Sequence, residues 1–141
     1  MSTTSALQDS LGAEHATVHL FAALGGITSV ADDPVLHALL TARHRAHRGR
    51  REYLTSVLRG LGVDPVAAQS AYLLPTDLST ATAVRASGTE SERRCAQTYA
   101  ALVGQSTDDV RTWAIAALTE SAVALTQWGA PAEPFPGAPE L

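Results

Sequence analysis

A chain of 141 residues suits one domain with a real core and leaves little room for two. Apolar residues make up 45% and charged residues 17%, with alanine leading the apolar set, which favours close-packed helices over a β-rich core. A net charge of -4 argues against nucleic acid as a partner, the single Cys95 excludes an internal disulfide, and no apolar run approaches the roughly 18 to 20 residues that span a bilayer.

The first helix is predicted over residues 5–24, with Ser5 as its cap, because Leu7, Leu11, Val18 and Phe21 recur at steps of three and four until Gly25-Gly26. Asp33-Pro34 is an N-cap followed by proline at the first helical position. From there Leu36, Leu40, Leu54, Leu58 and Leu61 continue one apolar stripe through a second helix, 34–61. Asp64-Pro65 can open a short helical turn, and Ala71-Tyr72-Leu73-Leu74-Pro75 reads as an extended apolar connector. A third helix is expected over 78–104, where Leu78, Ala81, Cys95, Tyr99 and Leu102 share a stripe and Ser87-Gly88 is a weak point. A fourth, 108–128, is capped by Ser106 or Thr107 and lined by Val110, Trp113, Ala117, Ala124 and Trp128. The Pro- and Gly-rich tail 129–141 cannot be helical.

Short links join helices one to two and three to four, so each pair should be antiparallel; the middle link is long enough to run the length of the bundle and make helices two and three parallel. The expectation is therefore all-α, a single four-helix bundle of ferritin-like topology with a long crossover between helices 2 and 3.

Near its middle each stripe is broken by a polar group: Glu14 on the first helix, His44 and His47 on the second, Glu92 on the third, Glu120 on the fourth. All fall near the helical midpoints, so three carboxylates and two imidazoles should meet at one level of the interior. Buried carboxylates need a cation. One reading supplies a metal, held by Glu14, His44, His47, Glu92 and Glu120; the other supplies arginine, with Arg48, Arg51 and Arg85 as candidates. A di-metal centre of this architecture takes a Glu from each of two helices and a Glu-x-x-His pair from each of the others. Neither pair is present, since the second helix carries His44-x-x-His47 and Val123 follows Glu120 by three. A mononuclear iron or zinc site remains chemically sensible, and oxygen activation at two irons does not.

At these residues the chain resembles a ferritin-like family of uncharacterised bacterial proteins, a domain of unknown function. The resemblance lies in Ala13-Glu14-His15-Ala16, His47-Arg48-Gly49-Arg50-Arg51, Ala71-Tyr72-Leu73-Leu74-Pro75, Cys95-Ala96 with Tyr99, and Phe135-Pro136-Gly137, in that order along nearly the whole chain. It implies a ferritin-like bundle paired as a homodimer and names no reaction.

Other features have plainer readings. The five arginines between Arg43 and Arg51 spread around a helix rather than lining one side, so ion pairing explains them better than a nucleic-acid surface. Cys95 reads as a small core residue, with a thiolate ligand as the alternative. His15, His19 and His37 have no metal spacing, and Phe135 in the tail could dock into a groove of its own bundle or of a second subunit. No Gly-rich strand-to-helix turn or nucleophile elbow supports phosphoryl transfer, dinucleotide binding or acyl transfer. The sequence leads to a non-catalytic dimeric binding or scaffold bundle in the cytoplasm with no cofactor, no nucleic acid and no membrane. Its alternative is a protein holding one iron or zinc ion in an oxidoreductase or storage role.

Overall fold

Side-chain caps mark the starts of the first three helices, whereas Thr107 at the start of the fourth makes no side-chain cap hydrogen bond. In the computed structural model, which describes residues 1–138, the helices are α1 (Thr3–Ile27), α2 (Pro34–Gly60), α3 (Ala81–Gln105) and α4 (Asp108–Trp128). Ser2, rather than Ser5, caps α1: its hydroxyl accepts from the Ser5 amide while the Ser5 hydroxyl accepts from the Ser2 amide, a reciprocal box. Asp33 caps α2 through the Leu36 amide at 2.9 Å, with Pro34 at the first helical position.

Two boundaries differ from the periodicity. The α1 helix runs through Gly25 and Gly26 to Ile27, because two glycines near a helix end cost only about 1 kcal/mol each and Thr28 closes the end on the Leu24 carbonyl. The α3 helix starts at Ala81, since Asp77 accepts from the amide and hydroxyl of Ser79 in a local turn, leaving Thr80 to cap the Ala83 amide. No helical turn forms at Asp64-Pro65. The α4 helix ends on Gly129 in the left-handed region, φ 104°, whose amide and that of Ala130 return to carbonyls of the last turn.

The end-to-end packing fixes the connectivity. One cluster joins Leu7 and Leu11 of α1 to Leu54 and Leu58 of α2, Leu102 of α3 and Ala114 of α4. At the other end Phe21 and Leu24 meet Leu36, Leu40, Val84 and Trp128. The starts of α1 and α4 thus share a level with the ends of α2 and α3, so α2 and α3 are parallel and the 61–80 segment travels the bundle's length. It is strapped to α1 on the way. Gln8 brackets it through the Asp64 carbonyl and the Val66 amide, both at 2.8 Å; His15 holds the Val66 carbonyl at 3.0 Å; the His19 ring lies 5.3 Å from Tyr72. The bundle is all-α with one long crossover. Among the described residues no helix is long and apolar enough to cross a membrane.

Ser87-Gly88 does not break α3. Gly88 is there for room: a Cβ at this position would sit 2.7 Å from the Trp128 ring, which is buried. Gly88→Ala should therefore cost about 1 to 3 kcal/mol by forcing Trp128 aside, read as a lower urea midpoint, and an unchanged midpoint would mean that α4 shifts freely. Phe135 is not docked into its own bundle, being 55% exposed; the segment is held by Glu133 on Arg93 at 3.3 Å and by Gly137, φ 76°, laid against the backbone of Ala96. A side chain at 137 would run into that backbone. Residues 139–141 of the predicted non-helical tail lie outside the described residues.

Candidate functional site

The inner stripe of α2 is Leu36, Leu40, Arg43, His47, Arg50, Leu54 and Leu58, all buried and spaced by threes and fours. Its three central members are cationic, and they face Glu14 of α1, Glu92 of α3 and Ser121 of α4, each at 0% exposure. His47 is the hub. Its Nδ1 lies 2.7 Å from Glu14 Oε2 and its Nε2 lies 3.2 Å from both oxygens of Glu92, so both ring nitrogens donate to carboxylates. Arg43 grips Glu92 with two prongs, Nε at 3.2 Å and Nη2 at 2.8 Å. Ser121 donates to Glu92 at 2.8 Å, and the Trp128 indole N–H donates to the other Glu92 oxygen at 3.4 Å.

Arg50 closes the other side. It donates to Ser121 at 2.9 Å, to the Ala117 carbonyl at 3.2 Å and to Glu120 at 2.9 Å, and its guanidinium stands 5.2 Å from the centre of the Tyr99 ring. Behind Glu14, the Cys95 thiol contacts Thr17 at 3.2 Å, and Thr17 contacts Ser91 at 2.9 Å. Among the described residues three oxygens of the interior have no hydrogen-bond partner, Ser10 Oγ, the Tyr99 hydroxyl and Glu14 Oε1, and only the last belongs to a carboxylate.

These contacts set the charges. Burial by itself opposes a charge on His47, but the Glu14 carboxylate and hydrogen bonds to Cys95, Glu14 and Glu92 outweigh it, holding the imidazole well above its usual range and therefore protonated. Burial also works against an ionised Glu92, yet the hydrogen bond and charge of His47, then the Arg43 guanidinium, keep its carboxyl far below the ordinary carboxylate range. Cys95 moves the other way: burial and the Glu14 charge push the thiol up, only partly offset by His47 and Thr17. Glu14, Glu92 and Glu120 thus balance Arg43, His47 and Arg50.

Of the residues expected at the centre, Glu14, His47 and Glu92 meet there. His44 and Glu120 do not. His44 is one residue past the Arg43 position, about 100° around α2, and is half-buried; its pKa is lowered by partial burial and by the charges of Arg48, Arg51 and His47. Glu120, one residue before the inward Ser121, has a side chain 63% exposed and reaches only Arg50. The expected counter-ions need the same correction. Arg43 and Arg50 neutralise the glutamates, while Arg48 is exposed, Arg51 lies at the surface, and Arg85 reaches the Gln127 carbonyl at 3.5 Å. The steps from Leu40 to 43, 47, 50 and Leu54 put both arginines in phase with core leucines, a signal that selects them only once buried partners for their charge are known.

A two-metal centre of the ferritin-like kind does not fit these residues. Both Glu92 oxygens are fully engaged by donors, and Glu120 stands outside, so the bridging carboxylates of a metal pair are missing. Two guanidiniums and an imidazolium stand where a pair of cations would. Away from this centre, a cleft of about 470 Å³ opens between the crossover and the α1/α3 seam, walled by Leu20, Tyr72, Leu74 and Pro75, with His19 and Arg94 at its rim.

The family model for a domain of unknown function, DUF4439, matches residues 6–140. No curated protein matches the chain. Among solved structures, a conserved hypothetical protein, rv2844, from Mycobacterium tuberculosis is similar at 31% identity and a TM-score of 0.81, over 89% of this chain and 87% of that one. With nearly its entire length matched, the chain belongs to the DUF4439 family.

Proposed function

We propose that this chain is a ferritin-like bundle that has exchanged two-metal oxygen chemistry for a non-catalytic role as a small dimeric binding or scaffolding protein. The observation that carries this reading is the doubly donating His47 with Arg43 clamped on Glu92, which leaves no pair of free carboxylates to bridge two metals. A network whose acids and bases balance stiffens the interior and fixes one packing of the helices. Binding of an organic or peptide partner then falls to the outer surfaces, and the cleft beneath the crossover, apolar walls with a polar rim, has the character of such a seat.

Aerobic addition of iron(II) tests the reading. The expected result is oxidation no faster than in buffer alone, with light scattering on the same sample giving twice the mass of a 14.7 kDa chain. Protein-dependent oxidation with paired iron uptake would overturn the non-catalytic role; a monomeric mass would remove the dimer and leave the rest standing.

A further inference from the structure

Glu14 of α1, His47 of α2 and Cys95 of α3 each bring one ligand atom to a single buried point, where the three atoms lie within 4.8 Å of one another. None of the three is exposed to solvent. Glu14 also carries the unpartnered Oε1, and a bare carboxylate oxygen in a dry interior is a group in want of a cation.

The surroundings have the form of a second shell. When a histidine ligates a metal through one nitrogen, its other N–H commonly donates to a carboxylate, which fixes the tautomer and the ring's direction. His47 Nε2 does this to Glu92, and Glu92 is itself immobilised by Arg43, Ser121 and Trp128. Nδ1 is the nitrogen turned toward Glu14, at 2.7 Å. Thr17 steadies the Cys95 sulfur, and Ser91 steadies Thr17. A carboxylate, an imidazole and a thiolate together select a borderline-soft divalent ion over magnesium or calcium.

We propose that Glu14, His47 and Cys95 form a site for one borderline-soft divalent cation, zinc foremost, bound without redox chemistry. The inference goes beyond the non-catalytic role and does not depend on it, since zinc transfers no electrons. On binding, the Cys95 thiol releases its proton and His47 releases the proton on Nδ1, so a dication replaces two protons and the interior keeps its balance against Arg43 and Arg50. The Glu14–His47 contact need open only by roughly half an ångström to admit an ion at ordinary zinc distances. Glu14 Oε1, unpartnered in the fold, lets the same carboxylate chelate the ion, so that three residues supply up to four contacts.

Cobalt(II) is the optical stand-in for zinc. The full chain, both titrated as folded and refolded from urea with cobalt present, should take up a single cobalt per chain and show a near-ultraviolet thiolate-to-cobalt band that added zinc erases. Cys95→Ser should abolish the band, and Glu14→Gln should weaken zinc binding at least about tenfold, while His44→Ala changes neither. Absence of the band on the unaltered chain in both preparations overturns the proposal, whether or not any variant folds. Unchanged zinc affinity in a folded Cys95→Ser chain overturns it too. Iron oxidation is read separately, so failure here leaves the non-catalytic role untouched.

Discussion

Replacing Glu92 by alanine should lower the unfolding free energy by about 3 to 5 kcal/mol, because it strands Arg43 and His47 in the interior without a counter-charge. For a chain of this size that is a fall of roughly 10 to 20 °C in melting temperature. Ser121 and Trp128 lose their acceptor as well. Glu120→Ala is the contrast: it also breaks an ion pair with an arginine, but its carboxylate is 63% exposed, and the loss should stay within about 1 kcal/mol. Urea or thermal unfolding of the two variants beside the parent decides the matter. A Glu92→Ala chain nearly as stable as the parent would show that the network contributes no net stability.

Stability should also peak between about pH 4.5 and 6.5 and decline on either side. His47 holds its proton more tightly folded than unfolded, so its contribution is complete below the unfolded value of about 6.5 and fades as pH rises toward the raised folded value. Glu92 behaves oppositely. Its contribution is complete above about 4.5 and fades as falling pH protonates the unfolded carboxyl first. The groups facing His47 are Glu14 and Glu92, with Arg43 and Cys95 beside them, and Cys95, whose thiol is pushed up, adds to the decline above about 9. Urea midpoints measured across this range should show a decline between about pH 6.5 and 9 in the parent that is missing from His47→Gln, so that the two chains approach each other as pH rises. A parent profile that stays level from 6.5 to 9 would mean that His47 is neutral in the fold.

Much of this protein was legible from residue order. Helix number, the antiparallel pairs and the long crossover follow from apolar spacing, caps and link lengths, because each is a local or nearly local property. Glu14, His47 and Glu92 were legible as interruptions of apolar stripes. What periodicity alone could not settle was phase to within one residue. His44 and Glu120 each sit about 100° from an inward position, and Arg43 and Arg50 occupy the phase that leucines hold on either side of them. A charged residue at a core position is improbable when considered alone and becomes favourable only beside its partners.

The spacing of leucines, the caps and the lengths of the links, acting along the chain, determined a four-helix bundle with a crossover. Only the tertiary structure decided that Arg43 rather than Arg48 meets Glu92, that Cys95 joins Glu14 and His47, and that Gly88 makes room for Trp128. The physical reason is that these choices are set by how each helix rotates about its own axis when four of them pack. A rotation of one residue exchanges which charge is desolvated, and desolvation depends on all the neighbours at once.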